Sequence, residues 1–349
     1  MKIIVPCAGQ SSRFPKMAPK WMLPDHDGVP MVVRAVEGIS HNREDFVFTI
    51  LREHDEMFHA KEGLARAFGG KVKTVVLDKP TKSQSETVFR TIIACGLDGP
   101  ILVKDSDNFF ELDSIAEDVN YISVSSLNDF DLINARNKSY ILSNQEGEVL
   151  SIREKHVISD LFSVGGYYFT SAQTFCETFE RLNKNELLGK NELYISEIIS
   201  KMILDGEQFR IKRASRYQDW GTVAEWRNKL SARRTVFASL DGFVLERGSA
   251  HFSPMFSEVK PHMQAVDALR KLAESKQKIV YLSIRAEKYR ELTEQQMVEF
   301  GLPEGRVVFD CGIAPWSLFT AAHPSMPFST ANALELAPED SNLLEKIVM

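Results

Sequence analysis

The sequence predicts an α/β protein built as two successive units. Short apolar runs at residues 3–5, 46–51, 72–77 and 100–104 alternate with longer amphipathic stretches, the pattern of βαβ units. The same alternation restarts after a basic linker at residues 230–234, and 349 residues are enough for two domains. A loop of small polar residues leaves the first apolar run, where α/β sheets collect their ligands.

Ile3, Ile4 and Val5 form a run closed by Pro6, as expected of a buried parallel strand. It opens into Ala8, Gly9, Gln10, Ser11, Ser12 and Arg13. Small residues let main-chain N–H groups come close to an anion, and such amide nests bind phosphate. Arg13 and Lys20 add two positive charges, with Pro15 and Pro19 stiffening the loop between them. These residues make a polyphosphate cradle.

Residues 30–39 read as a helix with Pro30 in its first turn, and residues 54–68 as one amphipathic helix ending at Gly69-Gly70. With strands at 46–51 and 72–77, the opening predicts a parallel sheet covered on both faces. At residues 81–87, Ser83 and Glu86 are spaced as a capping box for the next helix. Residues 100–104 (PILVK) form a buried strand that delivers Asp105 and Asp107. Two carboxylates at the end of an apolar strand repel each other unless a cation sits beside them. Mg²⁺ suits such a place, because it takes one or two carboxylates plus phosphate oxygens. From residue 121 to 168 the pattern changes to short alternating strands, with hairpin strands at 139–142 and 149–153. A helix at 192–204 and a strand at 209–213 lead to Tyr217-Gln218-Asp219-Trp220-Gly221-Thr222.

Over about residues 1–231 these motifs resemble the sugar-phosphate nucleotidylyltransferases, the nucleoside-diphosphate-sugar pyrophosphorylases. The family pattern A-G-x-G-x-R, spacer, P-K-x-L-x-P is met by Ala8 to Arg13 and Pro19 to Pro24, with Ser11 at the second glycine. Residues 81–87 are similar to T-x-G-Q-A-x-T, with Ser83 and Ser85 replacing glycine and alanine. Residues 105–109 are similar to G-D-N-x-F, with Asp107 at the acidic position. Glu154-Lys155 resembles E-K-P with His156 for proline, and residues 163–169 resemble G-x-Y-x-F. Residues 217–222 resemble W-x-D-x-G-T, with Tyr217 for tryptophan.

The resemblance implies a Rossmann-like, glycosyltransferase-A-like mixed sheet. It implies transfer of a nucleotidyl group from an NTP to a phosphorylated acceptor such as a sugar 1-phosphate. The products would be pyrophosphate and an NDP-sugar for surface polysaccharide. It implies catalytic roles for Arg13, Lys20 and Asp107, and Mg²⁺ held by Asp107 and Asp219. Nucleotide binding falls to Ala8, Gly9, Gln10, Ser11, Ser12 and Gln84, and acceptor binding to Glu154, Lys155 and Gly166. Three alternatives stand beside it. They are a cytidylyltransferase for a phosphocholine-like compound, a non-catalytic nucleotide-sugar-binding protein, and a phosphatase residing in the second domain.

That second domain, residues 235–349, starts with a strand running into Ser239-Leu240-Asp241-Gly242. A helix at 260–275, a strand at 278–282, a helix at 287–300 and a strand at 306–309 follow. The unit resembles the haloacid-dehalogenase-like phosphatases, whose first strand ends D-x-D-G and whose second ends in Thr or Ser; Ser283 with Arg285 fits the latter. Ser239, however, stands at the nucleophilic Asp, and Asp241 at the general acid. A Ser hydroxyl without an adjacent base is a poor nucleophile and no charged metal ligand. No lysine or acidic pair follows Arg306 in the expected places, since Asp310 is followed by Cys311. The expectation is a scaffold or interaction domain without phosphatase activity. Its apolar helices at 263–272 and 292–300 offer a homo-oligomer surface, and residues 342–349 a short docking helix.

Composition narrows the partners. The chain is 44% hydrophobic and 26% charged, as globular proteins are, and its net charge of −6 argues against nucleic acid. No apolar run is long enough to span a bilayer and the start has no signal-peptide pattern, so a cytoplasmic protein is expected. Four scattered cysteines read as buried free thiols, and eight histidines show no metal-ligand spacing.

Overall fold

The computed structural model describes the chain apart from residues 12, 16, 131–133, 185–191, 232, 250–254, 314–315, 321–330, 339, 341 and 349. It divides into two units, Met1–Glu225 and Trp226–Met349.

The first unit contains strands β1 (Lys2–Pro6), β2 (Phe46–Leu51), β3 (Lys73–Leu77), β4 (Ile101–Lys104), β5 (Asn108–Glu111) and β6 (Asn120–Ser126). β7 (Ser139–Ser143), β8 (Val149–Glu154), β9 (Leu161–Phe169), β10 (Phe209–Arg213) and β11 (Ser215–Asp219) complete it. The main sheet has the order β10-β6-β9-β4-β1-β2-β3, with the β7–β8 hairpin joined to it through β9. The predicted parallel pairing holds for β3, β2, β1 and β4. Beyond β4 the sheet is mixed, because β9 runs antiparallel to both β4 and β6. Side chains alternate across the pleat. Ile3 and Val5 enter a core with Trp21, Phe48 and Phe68, while Ile4 enters another with Val88, Val103 and Ile198. Burial on both faces is why the strand reads as an unbroken apolar run.

Two elements depart from expectation. The stretch 54–68 is two helices, Arg52–Phe58 and Ala60–Ala67, separated by His59 with φ 51°. Asp55 makes the break stable: its carbonyl accepts the His59 N–H at 2.8 Å, and its carboxylate accepts the Lys61 N–H at 2.8 Å. A side chain thereby satisfies one donor at the start of the second helix. Helix Gln84–Cys95 begins at Ser83 as predicted, with the Ser83 hydroxyl accepting the Glu86 N–H at 3.2 Å. The Glu86 carboxylate takes the Lys82 N–H rather than that of Ser83, so the reciprocal half of the box closes one residue earlier. The cysteines are free, but only Cys7 is buried; Cys95, Cys176 and Cys311 are half-buried.

In the second unit, β12 (Thr235–Ser239), β13 (Lys278–Leu282) and β14 (Arg306–Val308) form a parallel three-stranded sheet. Helix Met263–Glu274 buries Val266, Leu269 and Leu272 against Ile279 and Tyr281. Its apolar face, expected as an oligomer surface, is thus used inside the unit. Helix Leu343–Val348 likewise sets Leu343 against Ala265 and Ala268. Among the described residues no helix is long and apolar enough to cross a membrane.

Candidate active site

A cavity of about 520 Å³ lies at the carboxyl ends of β1 and β4. Gly9, Gln10, Ser11, Arg13 and Lys20 line it, whereas Ala8 is buried beneath the loop and Ser12 lies outside the described residues. Ser11 has φ 49°, a left-handed conformation that suits glycine and costs another residue about 1–2 kcal/mol. The serine offsets part of that cost, because its hydroxyl accepts the Lys20 N–H at 3.1 Å. This bond ties the loop to the short turn Lys20–Met22.

The two acidic motifs meet through main-chain pairing. β11 runs antiparallel to β5 with Asp219 opposite Asn108, and the Trp220 N–H donates to the Asp107 carbonyl at 2.9 Å. A Cβ on Gly221 would lie 3.2 Å from Asp219 Oδ1, 3.3 Å from Asp107 Oδ2 and 3.5 Å from Arg13 Nη1. A glycine therefore keeps open a gap lined by both carboxylates and a guanidinium. Hard oxygen donors around such a gap fit Mg²⁺. Each carboxylate has an ammonium partner, Lys20 on Asp107 and Lys138 on Asp219. Burial opposes charge on Asp107, but Lys20, then Lys104 and Arg13, outweigh it and hold the carboxyl below its usual range.

Asp105 is set differently. Burial and the neighbouring Asp107 charge push its carboxyl up to about 6, against the pull of Lys104, Gln84 and Lys20. Gln84, expected at the nucleobase, lines the cavity and donates to the Asp105 carboxylate. Lys104 is fully buried beneath the loop, donating to the Asp105 carbonyl at 2.8 Å and the Asn108 carbonyl at 3.0 Å. Its ammonium is lowered to about 8 by that burial, with both acids opposing. Gly165, at φ 83°, closes the assembly: a Cβ there would fall 2.3 Å from Asp105 Oδ2 and 2.5 Å from Asn108 Nδ2. Gly165→Ala is accordingly expected to destabilise the chain by about 1–3 kcal/mol through backbone strain alone. Urea unfolding reads this, and a wild-type midpoint would show that the loop yields freely.

Of the residues expected to bind an acceptor, Glu154 lines the cavity and accepts from the Ser139 hydroxyl and, at 3.0 Å, from that of Ser196. Lys155 does not reach in. Its side chain is exposed, donates to the Tyr194 hydroxyl at 2.8 Å and lies 4.6 Å over that ring. Gly166 faces the core rather than the cavity, since a Cβ there would meet Phe110 and Ser123 at 2.6 Å. The neighbouring Gly165 is the glycine of this pair that lines the cavity. Lys138 was not singled out in the sequence, where Asn137-Lys138-Ser139 looks like any polar strand entry. Its ammonium is buried in the wall, 2.6 Å from the Tyr217 hydroxyl and paired with Asp219.

No family model and no curated protein matches the sequence. Solved structures do. The nucleoside-diphosphate-sugar pyrophosphorylase from Vibrio cholerae RC9 superposes with TM-score 0.56 at 24% identity, over 65% of this chain and 99% of that one. The inositol-1-phosphate CTP transferase from T. maritima superposes with TM-score 0.51 at 16% identity, over 66% and 96%. The mixed sheet is that of the nucleotidyltransferase fold. Within this nucleotidyltransferase fold, the small-residue loop follows β1, and Asp219 and Asp107 stand on β11 and just after β4.

In the second unit the residues expected at a phosphatase centre bind one another. The Ser239 hydroxyl donates to the Asp241 carbonyl at 3.0 Å. Asp241 accepts from the Ser283 hydroxyl at 2.6 Å and from Arg285 Nε at 2.8 Å, with both charged side chains fully buried.

Proposed function

We propose that the chain joins an NTP to a phosphorylated small-molecule acceptor, a sugar 1-phosphate, releasing pyrophosphate. The convergence of Asp107, Asp219 and Arg13 around Gly221, with an ammonium on each carboxylate, carries this reading. The acceptor phosphate attacks the α-phosphorus in line, so catalysis is positioning and charge neutralisation and needs no protein nucleophile. Arg13 and the main chain of Gly9 to Ser11 hold the β- and γ-phosphates. Lys20, beside Asp107, acts where acceptor phosphate and α-phosphate meet. Asp107 and Asp219 would hold Mg²⁺, which screens the repulsion between two anions. Gln84 and the adjoining main chain face the base, and Glu154 the acceptor.

The acceptor class rests on two supports. The similar structures carry names of enzymes for sugar and inositol phosphates. The cavity wall offers the hydroxyls of Ser139, Ser163 and Ser196, hydrogen-bonding groups that suit a polyhydroxylated ligand. The test crosses four NTPs with hexose 1-phosphates, inositol 1-phosphate and phosphocholine, following pyrophosphate release with and without EDTA. One NTP–sugar phosphate pair is expected to turn over, and EDTA to stop it. Turnover of phosphocholine alone would replace the acceptor class, and silence across the panel would overturn the function.

A further inference from the structure

We infer that Lys138 supplies the cation that receives the acceptor's phosphate, the place that the motif pattern assigns to Lys155. The inference rests on the nucleotidyl-transfer reading above. The two lysines stand side by side at the open end of the β7–β8 hairpin: Ser139 pairs with Glu154, and the Lys155 N–H donates to the Lys138 carbonyl at 2.9 Å. Their side chains diverge. Lys155 turns outward at φ 57° onto Tyr194, while the Lys138 side chain is only 6% exposed and lines the cavity.

The surroundings of Lys138 suit a phosphate oxygen. Its ammonium lies 5.0 Å from the Tyr217 ring centroid and 5.7 Å from that of Phe162, an apolar wall that strengthens any charged contact. Tyr217 accepts one N–H from Lys138 at 2.6 Å, which fixes where the ammonium lies. Among the described lining residues, Arg13, Lys20 and Lys82 come from the nucleotide-side loops, and Lys138 alone brings a cation from the hairpin wall. That wall otherwise carries Glu154, which would repel a phosphate unless a cation stood beside it. Asp219 is the ion-pair partner of Lys138. Were Asp219 to hold a divalent cation, the buried Lys138 ammonium would need another counter-charge, which the acceptor phosphate would supply.

The experiment compares Lys138→Met, Lys138→Gln and Lys138→Arg with Lys155→Ala, using the active NTP–acceptor pair at saturating Mg²⁺. Loss of the charge is expected to raise the acceptor KM roughly 30-fold, as for one charge-assisted hydrogen bond, with the NTP KM within about threefold. Lys138→Arg should retain most of the acceptor affinity. A second readout needs no turnover: retention of radiolabelled glucose 1-phosphate in equilibrium dialysis with an α,β-methylene NTP should fall in the Met and Gln variants, with the analogue still bound. Should the Met variant fail to fold, the Gln variant, which keeps a polar group beside Tyr217, decides. A raised Mg²⁺ requirement with unchanged acceptor KM would reduce Lys138 to a partner of Asp219 and overturn the assignment. A tenfold rise in Lys155→Ala with none in Lys138→Met would return the phosphate to Lys155. A wild-type chain that turns over no pair and retains no phosphate probe removes the function itself; active wild type with unaffected Lys138 variants removes only this inference.

Discussion

Asp107→Asn is expected to lower kcat roughly a thousandfold, equivalent to about 4 kcal/mol of transition-state stabilisation, while the chain stays folded. The main chain at this position is held independently of the carboxylate. Trp220 donates to its carbonyl, and Lys104 braces the carbonyls of Asp105 and Asn108. Asparagine therefore keeps shape and loses charge. The loss is a full one, since Lys20 and its neighbours keep the Asp107 carboxyl ionised well below neutral pH. Two consequences follow at the same spot: the proposed divalent cation would lose one of its two carboxylates, and Lys20 loses its ion-pair partner. Pyrophosphate release under saturating substrates measures the first. Titration of Mn²⁺ in the presence of nucleotide measures the metal directly, and its affinity should fall at least tenfold. Wild-type turnover, or an unchanged Mn²⁺ affinity, would remove Asp107 from the metal site.

How far this site could be read from sequence depended on how local its causes were. The loop after β1 and the strand ending at Lys104 with Asp107 behind it were legible, because in each the apolar run and the polar exit are contiguous; Asp219, at the end of the polar strand β11 (SRYQD), stood out only through its motif resemblance. Their meeting was not written in either motif; it comes from β11 pairing with β5, an antiparallel contact between distant segments. Lys138 was invisible for a similar reason: only the folded hairpin brings it to Tyr217 and Asp219. Lys155 shows the converse, a residue with the right neighbours in sequence and the wrong direction in space. The shift from Gly166 to Gly165 follows from the pleat, since adjacent strand residues face opposite sides. His59 breaks a helix whose apolar periodicity runs on unbroken, so only the Asp55 side chain, capping across the break, marks it.

Asp241→Asn is expected to destabilise the second unit by about 3–5 kcal/mol, the usual result of breaking a buried ion pair from one side. Asp241 and Arg285 are both fully buried, and each is held by further bonds. The carboxylate also accepts the Ile284 N–H at 3.1 Å, while Arg285 Nη1 donates to Thr293 at 3.1 Å and to Gln296 at 2.6 Å. The guanidinium lies 4.9 Å over Phe256, so it has no route to water when its counter-charge is removed. Asparagine can still accept from Ser283, yet it leaves that charge uncompensated, and urea unfolding followed by circular dichroism should show the lost stability. The same bonds bear on chemistry. A carboxylate committed to Arg285, beside a Ser239 hydroxyl committed to the Asp241 carbonyl, supports a structural role over phosphate hydrolysis. The wild-type chain should accordingly release no phosphate from p-nitrophenyl phosphate with Mg²⁺. Hydrolysis by the wild type that disappears in an Asp241→Asn chain of unchanged stability would make Asp241 a catalytic acid and the second unit a phosphatase.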